Sequence, residues 1–146
     1  MFLPMWLTHL AAAYADRRQS DDALRCIGEA KSIVETTGER WCEAEVNRVT
    51  GEIALMSPKR DVLQAESYFE RALSVARQQQ AKSLELRAAM SLARLWRGQG
   101  KVHQARELLA PIYGWFTEGL DTRDLKEAKA RLEELHAQQG ICAKRL

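Results

Sequence analysis

The feature that most limits how this chain can fold is a pair of short motifs that returns every 40 to 42 residues. Ala11-x-x-Tyr14 is followed by Ala23-x-x-x-Ile27, Gly51-x-x-Ala54 by Ala65-x-x-x-Phe69, and Ala93-x-x-Trp96 by Ala105-x-x-x-Leu109. Spacings of three and four residues put both members of a motif on one face of a helix, a turn apart. A small residue there lets a partner helix approach, and the large residue fills the space beside it. Each pair of motifs therefore predicts an antiparallel helical hairpin. One hairpin cannot bury both of its faces, but three stacked hairpins share a continuous core.

The rest of the chain agrees with an all-α fold. Ala, Leu, Glu, Arg and Gln dominate, only three prolines occur, and no long stretch alternates with period two. The 146 residues, 46% hydrophobic and 29% charged, suffice for one folded domain. Helices are expected near 4–17, 20–37, 39–56, 60–79, 83–98, 101–114 and 122–138. Ser20 and Ser83 are the expected N-caps, and Gly38 the expected stop. These divide into repeats at 4–37, 39–79 and 83–114, a capping helix at 122–138, and a frayed tail at 139–146. The capping helix carries Leu125, Ala128, Leu132 and Leu135 on one stripe and charge on the other side, which suits the end of a stack. The first helix has no such finish. Phe2, Met5 and Trp6 make its edge apolar, which predicts self-association through the first hairpin, or a further repeat ahead of it.

Several functions are disfavoured at this level. A net charge of +2 gives no reason to expect nucleic acid or a membrane surface, and no run reaches the length of a membrane span. The basic pairs Arg17-Arg18, Lys59-Arg60 and Lys144-Arg145 fall at turns or the tail. Cys26, Cys42 and Cys142 form no paired spacing, so a reducing cytoplasm is the expected compartment. His9, His103 and His136 are scattered, so no metal site and no cofactor are expected. Gly98-Gln99-Gly100-Lys101 resembles a phosphate loop only in isolation. Its glycines are one residue apart, Val102 follows the lysine, and helical sequence precedes it, so it reads as the turn inside the third repeat. No nucleophile is set beside a base at a recognisable spacing, and an enzyme is not expected. Among the tryptophans, Trp96 is expected in the core, Trp41 and Trp115 between hairpins, and Trp6 exposed.

Leu7-x-x-Leu10-Ala11-x-x-Tyr14 and Ala89-x-x-Leu92-Ala93-x-x-Trp96, each followed by the Ala-x-x-x-large motif, resemble the tetratricopeptide repeat. The second copy departs from it with Asn47, Thr50 and Ala54, and the period exceeds the usual length of about 34. The resemblance implies a right-handed superhelix of three antiparallel hairpins plus the capping helix, whose first helices line a concave groove. The inward positions are then Met5, Thr8, Ala12 and Ala15; Glu45, Arg48, Glu52 and Leu55; and Arg87, Met90, Arg94 and Arg97. Such a groove is apolar at one end, mixed in the middle and basic at the other. It suits a protein or peptide segment with an apolar anchor and an acidic end. Arg87, Arg94 and Arg97 are the leading candidates. Glu45, Arg48 and Glu52 come second, because they can pair with one another along their own helix. The carboxylate clamp of some family members maps to Thr8, Ala12, Val49, Arg87 and Ser91, of which only Arg87 suits an anion. More specifically, GERWCEAEVNRVTGEIAL and AESYFERALSVARQQQAKSLELRAAMSLARLW resemble the repeat tail of bacterial signalling proteins that join cyclase or regulator domains to an ATPase. That resemblance implies a non-catalytic scaffold in bacterial signalling or, alternatively, a small-ligand sensory module controlling a cyclase or ATPase.

Overall fold

A computed structural model describes residues 3–17, 19–38, 40–56, 61–116 and 122–144. Among the described residues every regular element is a helix: α1 (Leu3–Asp16), α2 (Ser20–Thr37), α3 (Glu43–Met56), α4 (Val62–Gln78), α5 (Lys82–Gly98), α6 (Val102–Gly114) and α7 (Arg123–Lys144). The protein is all-α and repeat-like. Consecutive helices pack as the pairs α1/α2, α3/α4 and α5/α6. Each later odd-numbered helix then packs on the pair before it: α3 on α1 and α2, α5 on α3 and α4, α7 on α5 and α6.

The ends of the helices differ from expectation in instructive ways. Gly38 does stop α2: its φ is +71°, and its N–H donates to the Val34 carbonyl at 2.9 Å. The chain needs a further turn at Trp41 and Cys42 to reverse, so α3 starts at Glu43 rather than near 39. Neither expected serine caps its helix. Ser20 is already helical, with Gln19 at the cap position, and α5 begins at Lys82, before Ser83. The side-chain cap is Asp61, which accepts from the Gln64 N–H at 3.0 Å. Asp61-x-x-Gln64 has the spacing of a capping pair, so this signal was present in the sequence. The last helix does not stop at 138 with a frayed tail behind it, but runs to Lys144. Gly140 costs a helix interior only about 1 kcal/mol, and the alanines and glutamines around it favour helix. Arg97 also ties α7 down, through Glu134 at 2.7 Å and Gln138 at 3.3 Å.

Gln99-Gly100-Lys101 is a turn. Gly100 has φ +82°, and the Lys101 N–H donates to the Trp96 carbonyl at 2.8 Å, which sends α6 back along α5. Gln79-Gln80-Ala81 makes the same turn between α4 and α5, with Gln80 at φ +54° where the later turn has glycine.

Two apolar clusters form the core. The N-terminal one joins α1 and α2 to one face of α3, through Ala11, Ala23, Ile27, Val46, Val49 and Ile53. The C-terminal one runs from α4 to α7 around Phe69, Leu86, Leu92, Leu109 and Leu135. The division falls inside the second hairpin, at Gly51. A Cβ added to Gly51 would lie 2.6 Å from Cε1 of Phe69 and 3.1 Å from the Ala65 carbonyl oxygen. The ring rests on bare backbone there, and only glycine leaves room. The other two hairpins solve the same problem with Ala11 and Ile27, and with Ala93 and Leu109: more at the small position, less at the large one.

Trp96 is half-buried, and its indole N–H donates to Glu66 at 2.8 Å. Trp41 and Trp115 are more exposed than helix-end packing predicts. Trp115 sits under the Lys82 ammonium, 5.5 Å from the ring centre. No described helix is long and apolar enough to cross a membrane.

Candidate functional site

Each odd-numbered helix turns one stripe toward the same space, and there α1, α3, α5 and α7 surround a cavity of about 510 Å³. Because the stripes repeat every three and four residues, α1 contributes Thr8 and Ala12; α3 contributes Glu45, Arg48 and Glu52; α5 contributes Arg87, Met90 and Arg94. Three of the four remaining inward positions fall elsewhere. Met5 packs against the N-terminal cluster and Leu55 against the C-terminal one. The side chain of Ala15 lies outside the described residues, and Arg97 has turned to α7.

The arginines of α5 were expected to make one end of the groove basic, and the structure corrects this. Each meets an acid, but on a different helix. Arg87 donates from Nε to Asp124 Oδ2 at 2.8 Å and lies 3.4 Å from Glu45 Oε1. Arg94 Nη1 is 3.6 Å from Glu52 Oε1, and Arg97 is held by Glu134. Around the cavity stand four guanidinium groups (Arg48, Arg87, Arg94, Arg123) and four carboxylates (Glu45, Glu52, Asp124, Glu127). The lining is therefore balanced in charge apart from His9, and polar above a floor that includes Val49 and Met90. Glu45 and Arg87 are 42 residues apart, about one repeat, so no pairing rule along a single helix could have joined them.

Glu45 is the centre of this arrangement. Its side chain is only 3% exposed. Arg48 grips it with both branches of the guanidinium, Nη2 to Oε1 at 2.6 Å and Nε to Oε2 at 3.0 Å. Burial pushes the Glu45 carboxyl up, but the hydrogen bonds and charge of Arg48, then the charge of Arg87, outweigh it and hold the carboxyl below its ordinary value. Burial likewise opposes the charge on Arg48 and on Arg87, and Glu45 and Asp124 respectively overcome it. Ser91 completes the link between α3 and α5. Its hydroxyl donates to Glu52 at 2.9 Å and accepts from Arg48 at 3.4 Å. The result is a chain of charge across α3, α5 and α7 in which each of these named groups meets a partner at the cavity.

Sequence reasoning missed His9, Met56, Arg123, Asp124 and Glu127, which also line the cavity. A signal for the last three existed. Ala88, Leu92 and Leu95 of α5 recur as Ala128, Leu132 and Leu135, a constant step of 40. That step makes α7 a fourth helix of the inner type, not only a lid on the stack. On the N-terminal edge, Met5 is half-buried and turned inward, Trp6 is 71% exposed, and Phe2 lies outside the described residues.

Among the described residues no group of three or more His, Cys, Asp or Glu is placed to hold a metal ion. Fold and cavity together define an all-helical, repeat-like protein with a charged inner face. No family model matches the chain, and no curated protein matches it.

Proposed function

We propose that this chain is a tetratricopeptide-like scaffold, a right-handed superhelix whose concave face binds an extended or helical protein segment. The observation that carries this reading is the convergence of α1, α3, α5 and α7 on one cavity, with its polar groups fixed by one another. Preorganised charges of both signs select a partner by pattern and disfavour wrong ones. The balance of four and four replaces an acidic-ended partner with one that carries both signs around an apolar anchor. Arg94 is the group best placed to change partners. It is the more exposed of the two α5 arginines that line the cavity, at 48%, and its contact to Glu52 is long. In this reading the scaffold is non-catalytic and belongs to bacterial signalling, and its N-terminal edge serves association.

A peptide library displayed against the folded chain tests this. The expected result is a family of peptides that share alternating charge about an apolar residue and bind Arg94→Glu at least tenfold more weakly. Peptides that bind the variant as well as the parent would place recognition elsewhere. A second reading, a sensor of a small charged ligand, is favoured by the cavity volume, which falls in the range of about 300–1,000 Å³ typical of small-molecule sites. A thermal-shift screen of metabolites separates the two, since a ligand that binds only the folded state raises Tm.

A further inference from the structure

The same helix position can be followed through all four inner helices. In α3 it reads Val46, Thr50, Ile53; in α5, Ala88, Leu92, Leu95; in α7, Ala128, Leu132, Leu135. All nine are buried or partly buried, consistent with the packing of each of these helices on the pair before it. In α1 the position reads Trp6, Leu10, Ala13, and all three are exposed, Trp6 at 71% and Leu10 at 45%.

The order of sizes on α1 is also reversed. Copies two to four begin small or medium and end large, which lets the first turn approach the preceding pair closely. Copy one begins with tryptophan and ends with alanine. A tryptophan where the stack has Val46, Ala88 and Ala128 would hold a preceding hairpin away, so this face does not match the shape of another repeat. It does match itself. When two copies of α1 cross antiparallel near Leu10, Trp6 of each lies over Ala13 of the other, and the two Leu10 side chains meet between them. That is the large-on-small packing the chain already uses at Phe69 and Gly51. From Leu3 to Ala15 the helix carries no Asp, Glu, Lys or Arg, so pairing brings no formal like charges of these residues together. Head-to-tail stacking is disfavoured, because the outer side of α7 exposes Lys126, Lys129, Glu133 and His136.

We infer that the exposed face of α1 is a self-association surface, on which a second copy of this chain docks α1 against α1 about a two-fold axis near Leu10. The proposal rests on the repeat register of the proposed stack and not on what the concave face binds. The face is one helix long, so the dimer forms and dissociates with concentration.

Sedimentation of the whole 146-residue chain from micromolar to several hundred micromolar tests it. The mass should rise from 16.6 kDa toward twice that value. Leu10→Asp should weaken association at least tenfold with its helical circular dichroism retained. The register is tested by exchange of the large and small partners. Trp6→Ala alone and Ala13→Trp alone should each lose the dimer, while an equimolar mixture of the two should regain it, because each tryptophan then faces an alanine. A monomer at every concentration overturns the proposal and leaves the face to a helical segment of other sequence. A dimer indifferent to Leu10→Asp, or no recovery on mixing, overturns it as well. None of these outcomes alters the peptide measurement on the concave face.

Discussion

The two halves of the core are joined in two different ways. At the seam within the second hairpin, Phe69 of the C-terminal half lies on the bare backbone of Gly51, and shape alone sets the fit. Along the inner face, Glu45, Arg48 and Glu52 of α3 meet Arg87, Ser91 and Arg94 of α5, and charge sets it. The shape joint excludes water and presents nothing to a partner. The charge joint carries desolvation costs that a fully apolar joint would avoid, and it opens onto a cavity. A protein that needed only stability had the cheaper solution at hand 20 residues from Phe69, in the Ala89-to-Leu95 stretch of its own core. The proposed binding face would use this joint; a face built for packing alone would not need it.

The charge joint should fail most severely when it is left half-made. Arg48→Met strands the buried Glu45 carboxylate and leaves it the longer contact to Arg87, at 3.4 Å. The expected cost is about 3 kcal/mol, the lower end of the range for breaking a buried pair, because Arg87 remains. In a chain of this length that lowers Tm by roughly 6–12 °C in calorimetry. Replacing both partners, Glu45→Met with Arg48→Met, should recover much of the loss. A double variant less stable than Arg48→Met would mean that the pair is a net source of stability.

The shape joint comes next. Gly51→Ala places a methyl against a fully buried ring and a backbone oxygen, and neither can move away cheaply. Overpacking of about 1–3 kcal/mol, set against about 1 kcal/mol of improved helix propensity, leaves a net loss of up to about 2 kcal/mol. Adding Phe69→Leu reproduces the Ala93 and Leu109 combination of the third hairpin and should return part of it. Urea denaturation of the three variants measures this.

This seam was legible in the sequence and the inner face only half so. The small and large anchors lie on one strict period, and periodicity is a property of a single line of text. So the pairing of helices and the turn at Gly100 could be read in advance, and the resemblance to the repeat family added the inward stripe at Glu45, Arg48, Glu52, Arg87, Met90 and Arg94. What could not be read was which acid each arginine meets. Arg87 finds Asp124 and Glu45 across one repeat in either direction, and Arg97 finds Glu134 on a helix that looked like a lid. Helix ends were misjudged at α7, which runs on to Lys144, and at the cap of α2, which is Gln19 and not Ser20.

A smaller effect separates the joints by pH. Glu45 is held below its ordinary value in the folded chain, so its contribution is fully present above the unfolded carboxyl value of about 4.3. That contribution is lost as pH falls through the lower folded value. The stability gap between the parent and Glu45→Gln should therefore narrow as pH falls below about 4.3, whereas the gap for Gly51→Ala should not change. Parallel curves for both variants would contradict the assignment of Glu45 as the charged centre. The smallest effect touches neither joint. Gln80 holds the left-handed turn that Gly100 holds one repeat later. Gln80→Gly should relieve that strain, for a gain of about 0.5 kcal/mol after the added flexibility of the unfolded chain.

The most direct test of a binding face on the inner helices is residue by residue. Amide chemical shifts of the isotope-labelled chain can be followed while a peptide selected against it is added. The shifts should cluster on α1, α3, α5 and α7, at Thr8, Arg48, Met90, Arg94 and Asp124, and leave the exposed sides of α2, α4 and α6 in place. Shifts confined to those outer helices would contradict the account.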